Sequence, residues 1–255
     1  MPVNFDHALN QSGLEGSRAA LPAIFPHAAP ASLLDVGCGT GTWLKAALEF
    51  GIPDVFGIDG VELSADTLHV PGTRVAKRDL TQPWTLERQF DAVLCLEVAE
   101  HLPPEHAGAL VESLTRHAPL VIFSAACPDQ AGQHHVNCQW PAYWQALFNR
   151  CGYRCDDPVR PRIWDDDRIE PWYRQNLFIA RNDPSTAGTE PRVPAIVHPD
   201  TFRTALVASV AAGVEEGFTR VRDGRMTPGW YLAGFVNAAT QKIRRALGQD
   251  RGARR

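Results

Sequence analysis

Residues 31–51 read ASLLDVGCGTGTWLKAALEFG: an apolar run, an aspartate, glycines at 37, 39 and 41, and then a helix-like stretch. A strand running straight into closely spaced glycines and a helix leaves backbone N–H groups free at the helix N-terminus, with no Cβ to hold a ligand away. The spacing is GxGxG, whereas dinucleotide sites use GxGxxG. Asp35 stands inside the turn, where a carboxylate repels a pyrophosphate and suits a ligand that carries an ammonium and a sulfonium. The expected ligand is therefore cationic, and a nicotinamide reductase is disfavoured.

Working outward, short apolar runs alternate with helical patterns from residue 31 to residue 181. DVFGID (54–59), RVAKRDL (74–80), FDAVLCLEV (90–98) and PLVIFSAAC (119–127) read as strands. PPEHAGALVESLTRH (103–117) and PAYWQALFNRCG (141–152) read as helices, the second stopped by Gly152. Such a βαβα rhythm predicts a parallel sheet covered by helices on both faces, and continuous apolar strands fit burial on both sides. YRCDDPV (153–159) and NLFIARN (176–182) close the pattern as a last pair of strands around a charged loop, RIWDDDRIEPWYRQ (162–175).

Two acidic residues extend the ligand reading. Asp59 ends the second strand, 24 positions after Asp35, where a carboxylate is placed to accept both ribose hydroxyls. Asp79 ends the third strand, where its carboxylate and the N–H of Leu80 face an adenine edge.

With these residues in order, the sequence resembles the class I S-adenosylmethionine-dependent methyltransferases over residues 31–181, through DVGCGTG, Asp59, Asp79 and FDAVLCLEVAEHL. The resemblance implies a doubly wound, seven-stranded α/β sheet with an antiparallel last strand. It implies S-adenosyl-L-methionine as cofactor and S-adenosyl-L-homocysteine as product. Asp35, Gly37, Gly39 and Gly41 then take the methionine half, Asp59 the ribose, Asp79 and Leu80 the adenine, and Glu97 the region of the sulfonium. In one departure, Gly60 follows Asp59, so LSADTLHVPG (63–72) is expected as a loop where the family has a longer helix.

Chemistry should project from the carboxyl ends of the fourth and fifth strands, the crevice side of an open sheet. EVAEHL supplies Glu97, Glu100 and His101, and GQHHVN supplies His134 and His135. One reading makes His135 or His134 a general base. The other groups Glu97, Glu100, His101 and His135 around a divalent ion, as in metal-dependent small-RNA 2′-O-methyltransferases; the first is preferred, with no metal. A finer resemblance, through HHVNCQWPAYWQALFNRCGY and WYRQNLFIA, points to bacterial methyltransferases of polysaccharide and glycosylated-metabolite pathways, in which an HVN loop, an aromatic helix and a WYxxN strand enclose the acceptor. Trp140, Trp144, Trp164, Trp172 and Tyr173 then either stack on a sugar or fill the core. The expected activity is O-methylation of a sugar, glycan or similar small metabolite. The rivals are RNA ribose methylation and a cofactor-binding module without turnover.

The flanking segments are read more coarsely. Residues 1–30 are expected as a helical lead-in or lid, 182–199 (NDPSTAGTEPRVPAIVHP) as a linker, and 200–255 as a helical extension with a basic tail. Phe202, Leu206, Val210 and Val214 recur every fourth residue in a helix capped by Asp200. Leu232, Phe235, Ala239, Ile243 and Leu247 share one face of a second helix from Pro228, and the pair offers a surface for a homo-oligomer.

Charge is uneven along the chain. The 255 residues carry a net −4, yet from Arg220 onward nine Lys/Arg face only Asp223 and Asp250, leaving −11 on the first 219 residues. An acidic body makes a nucleic-acid partner unattractive. No stretch of about 18 apolar residues suggests a membrane span. The start lacks a basic segment followed by an apolar one, and the six cysteines show no CxxC pair, so a reduced, cytoplasmic protein is expected.

Overall fold

The computed structural model describes residues 13–223, 225 and 227–246. The first twelve residues of the expected lead-in, Leu247 and the basic tail beyond it lie outside them. The chain divides into two compact units, Met1–Ala205 and Leu206–Arg255.

In the first unit, helix α1 (Leu14–Ile24) precedes strand β1 (Ser32–Val36), helix α2 (Thr42–Phe50) and strand β2 (Asp54–Asp59). Strand β3 (Val75–Lys77), strand β4 (Ala92–Leu96), helix α3 (Ala107–His117), strand β5 (Leu120–Ser124) and helix α4 (Pro141–Arg150) follow. Strand β6 (Tyr153–Asp156), helix α5 (Arg160–Ile163), helix α6 (Pro171–Asn176) and strand β7 (Phe178–Asn182) complete the sheet. Its order is β3-β2-β1-β4-β5-β7-β6. β1 runs parallel to β2 and β4, and β7 antiparallel to both β5 and β6. The expected doubly wound, seven-stranded fold is therefore the observed one.

Alternation along the strands divides the core between the two faces, because successive side chains of a strand point to opposite sides. Leu34, Val93, Cys95, Val121 and Phe123 face α3 and α4. Leu33, Leu94, Leu96 and Ile122 face α1 and α2. Phe123 centres the first layer, its ring 5.2–5.4 Å from those of Trp144, Phe148 and Phe178. Truncating such a residue costs about 3–5 kcal/mol.

Helix ends follow the glycines. Gly51 takes a left-handed conformation (φ 101°) and its N–H closes on the carbonyls of Ala47 and Leu48, ending α2. Gly152 (φ 78°) follows α4 in the same way. Between β2 and β3 there are only the short 3-10 turns Ala65–Thr67 and Gly72–Arg74, so the expected loop replaces a longer helix.

Two local readings need correction. Of the stretch read as a charged loop, 162–175, only the middle, 164–170, is free of helix, and its two ends lie in α5 and α6. Pro161 and Pro171 sit in the first turns, where a missing N–H costs nothing, and the buried Arg160 donates to the carbonyls of Gln175 and Pro194 (2.9 and 3.1 Å) and to Asp157 (2.7 Å). Asp200 is no cap. It lies inside helix α7 (Pro199–Arg222), paired with Arg174 (2.9 Å) and Arg203 (2.7 Å), and its own N–H donates to His198 Nδ1 at 3.1 Å. A carboxylate in the first turn still favours the helix through the macrodipole.

Residues 183–198 have no helix or strand but are anchored. Glu190 accepts from Gln145 (2.9 Å), Asn149 (2.7 Å) and the Cys155 N–H (3.1 Å). Burial pushes its carboxyl up, and these hydrogen bonds outweigh that, bringing it down to about 2.

The second unit holds the rest of α7 and helix α8 (Pro228–Ala246), joined where Tyr231 Oη donates to the Val221 carbonyl at 2.8 Å. The apolar residues expected along one face of each helix, Leu206, Val210 and Val214 on α7 and Leu232 and Phe235 on α8, are exposed in the single chain. No helix of the described residues is long and apolar enough to cross a membrane.

Candidate active site

The strand order reverses between β1 and β4, and in an open α/β sheet the ligand crevice opens beyond the carboxyl ends of the strands at such a point. A cleft of about 1200 Å³ lies there, lined by Asp35, Gly37, Asp59, Asp79, Glu97 and His135 among others. Gly37, Gly39 and Gly41 all have positive φ (76°, 49° and 80°), which side chains rarely adopt. The N–H groups of Gly37 and Cys38 donate to the Ile58 carbonyl (2.8 and 3.1 Å), stitching the turn to β2. A Cβ at Gly37 would collide with Val98 Cγ2 and stand 3.0 Å from Cγ1.

Of the acidic residues, Asp35 is nearly fully buried, and its Oδ2 has no hydrogen-bond partner among the described residues. Burial, and then the charge of Asp59, pushes its carboxyl up to about 8. Asp59 is buried too, its two oxygens accepting the N–H groups of Gly39 and Val61, each at 2.8 Å. Asp79 is exposed and accepts from Thr81 Oγ1 (2.6 Å) and the Thr81 N–H (2.9 Å), which hold its carboxyl below the usual range. Leu80 lines the cleft beside it.

Glu97, just past β4, sits at φ 55°, a left-handed conformation worth about 1–3 kcal/mol of strain in a non-glycine residue. Its surroundings hold it there. Its N–H donates to the carbonyl and hydroxyl of Ser124 (3.0 and 3.1 Å), and its carboxylate accepts from Gln130 Nε2 (2.8 Å) and Asn176 Nδ2 (3.2 Å). Asn176 Nδ2 also donates to Gln130 Oε1 at 2.8 Å, locking the two amides together. Burial raises the Glu97 carboxyl, and the bonds from Asn176, Ser124 and Gln130 oppose that. Glu100 is completely buried, and burial followed by repulsion from Glu97 drives it well above the carboxylate range.

The histidines differ from one another. His101 is pushed down to about 4, first by burial and then by His135, whose ring centroid lies 5.0 Å away. His135 is half-buried and lowered by burial; its Nδ1 lies 2.9 Å from the Gln130 carbonyl. A carbonyl only accepts, so Nδ1 carries the proton and Nε2 keeps the lone pair. His134 is exposed on the cleft rim at φ 50°.

The structure separates residues that the sequence grouped. Glu100, His101 and His135 bring one donor atom each within 4.8 Å of one another, whereas Glu97 is held in the amide clamp and lies outside that cluster. Of the aromatic residues, Trp172 and Tyr173 line the cleft, Trp144 is core, and Trp164 packs against His198 at 4.4 Å. The WYxxN segment expected as a strand forms α6, which turns Asn176 toward Glu97. Gln130, Asn176 and Gln175 escaped the sequence reading. Neutral amides carry neither charge nor periodicity, and only the quoted WYRQN segment offered a signal.

This fold, with a glycine turn and three carboxylates around a cleft at the switch point, defines the class I S-adenosylmethionine-dependent methyltransferases. A family model described as a methyltransferase domain matches residues 11–159, more than half of the chain, and the protein belongs to that family. No curated protein sequence matches the chain. Among solved structures, the methyltransferase domain of bacterial CtHen1-C is 16% identical, with 67% of this chain and 100% of that one covered at a TM-score of 0.50. Magnesium protoporphyrin IX methyltransferase (ChlM) from Synechocystis PCC 6803, with bound S-adenosylhomocysteine, is 18% identical over 66% and 83% of the two chains, also at 0.50. At such identities the likeness is one of fold. The cofactor of the family, S-adenosyl-L-methionine, fits the residues present: the unpartnered Asp35 Oδ2 asks for a cationic donor, and Gly37 and Gly39 of the turn line the cleft beside it.

Proposed function

We propose that the protein methylates a hydroxyl of a sugar, glycan or similar small metabolite, with His135 as general base. The observation that carries this reading is the Nδ1 contact of His135 to the Gln130 carbonyl, which leaves Nε2 as a fixed acceptor on the cleft wall. Asp35 with Gly37, Gly39 and Gly41 would hold the amino-acid half of the cofactor, Asp59 the ribose, and Asp79 and Leu80 the adenine. When bound, the cofactor supplies a methyl group already activated on a sulfonium.

The chain's own work is then positioning and proton removal. A lowered His135 is neutral at pH 7 and ready to take the hydroxyl proton at Nε2. Glu97, clamped by Gln130 and Asn176, presents its carboxyl to the cleft. Trp172, exposed at the rim, offers a flat apolar face to a sugar ring. Six free cysteines, four of them buried, support a reducing, cytoplasmic setting.

A homocysteine-release assay across sugar, glycan and phenolic hydroxyl acceptors, with amine analogues as controls, tests the reading. Release with sugar hydroxyls alone supports it, and turnover confined to amines overturns it. A second reading has its own observation. Glu100, His101 and His135 are close enough to ligate a divalent ion, with both imidazoles held neutral by burial. EDTA that leaves turnover unchanged removes that reading; EDTA inactivation reversed by a divalent metal would replace the general base with metal assistance.

A further inference from the structure

We infer that the second unit, residues 206–255, docks on an anionic lipid surface through α8. Leu232, Phe235 and Val236 recur at helical spacing and are 64%, 72% and 55% exposed, and Trp230 and Tyr231 stand at the start of the same helix. On α7, Leu206, Val207, Val210 and Val214 are likewise exposed. An apolar, aromatic-bearing helix face is the shape of an element that lies in a membrane interface when cations flank it.

The cations are present. Arg220 and Arg222 close α7, Arg225 follows, and Lys242, Arg244 and Arg245 fall in the last turns of α8. From Arg220 onward nine Lys/Arg face two Asp, while the first 219 residues carry −11, so attraction to an anionic surface is concentrated in this segment.

Charge and apolarity together choose the occupant. Nucleic acid would use the cations and leave Leu232, Phe235 and Val236 in water. A second copy would cover the apolar face and bring another unit of charge +5 to the same seam. A lipid surface with anionic headgroups satisfies both, with about fivefold in affinity for each cation that reaches it.

Co-sedimentation of the full chain with phosphatidylcholine vesicles, with and without phosphatidylglycerol, tests this. The expected result is binding at least ~10-fold stronger to the anionic vesicles and weakened by salt, as a few engaged cations would give. The Leu232→Glu/Phe235→Glu double variant should abolish binding. Lys242→Gln, which removes one cation and leaves the apolar face intact, should weaken anionic binding about fivefold and leave the weak neutral binding alone. Equal or absent binding to both vesicles overturns the inference. A concentration-dependent dimer that Leu232→Glu/Phe235→Glu disperses, or tight nucleic-acid binding that the same variant leaves intact, overturns it as well.

Discussion

Gly37→Ala isolates the backbone demand of the glycine turn. The residue sits at φ 76°, and an added Cβ would meet the Val98 side chain, with Cγ1 at 3.0 Å and Cβ at 3.2 Å. Holding alanine in the left-handed region costs about 1–2 kcal/mol, and crowding a packed neighbour adds about 1–3 kcal/mol. The expected loss is therefore about 2–5 kcal/mol, a large share of the 5–15 kcal/mol of a typical domain. Val98→Ala alone removes two buried methyls at roughly 1–3 kcal/mol. Combined, the two changes should cost less than their sum by about 1–3 kcal/mol, because the colliding methyls are gone and only the backbone strain and the 3.2 Å contact to the remaining Cβ persist. Urea unfolding of the four proteins measures the coupling, with the midpoints read at constant slope. Strict additivity, or a Gly37→Ala protein as stable as the parent, would show that Val98 does not wall the turn as described.

Other consequences follow from the carboxylates and the base. Asp35, at about 8 in the folded chain against an ordinary 3.8, binds a proton only in the native state between those values, so its ionisation lowers stability as pH rises through that window. A cationic ligand needs the ionised form. S-adenosylhomocysteine affinity should rise roughly tenfold per pH unit up to about pH 8 and then level, with proton release in calorimetry; a flat profile refutes this role. His135→Ala should leave that affinity nearly intact and cut turnover by roughly 10²-fold or more, and the parent's rate should fall only below the ordinary histidine range, because burial lowers His135. Asn176→Ala removes a donor that opposes the effect of burial on Glu97, so the Glu97 carboxyl should rise further and the pH–rate profile should move to higher pH. A pH–rate profile identical to the parent's would show that the clamp is only structural.

Much of this was legible in the chain. The apolar runs, glycine spacing and strand-end aspartates give the sheet and its crevice directly, because parallel strands must be buried and must be joined by crossovers. The clamp was not legible, since Gln130 and Asn176 lie 46 positions apart and meet only because α6 packs against β5. Likewise the exposed stripe on α7 and α8 reads in sequence like any amphipathic helix, and periodicity cannot say what covers it. Asp200 looked like a cap because its residue type favours one; the buried Arg174 drew its carboxylate into an ion pair, and His198 took the N–H instead.

A crystal structure of the protein grown with S-adenosylhomocysteine decides whether the glycine turn holds this nucleoside. Its amino-acid half should lie on the Gly37–Gly41 turn beside Asp35, with its ribose at Asp59. A turn left bare, or one occupied by a diphosphate, would contradict it.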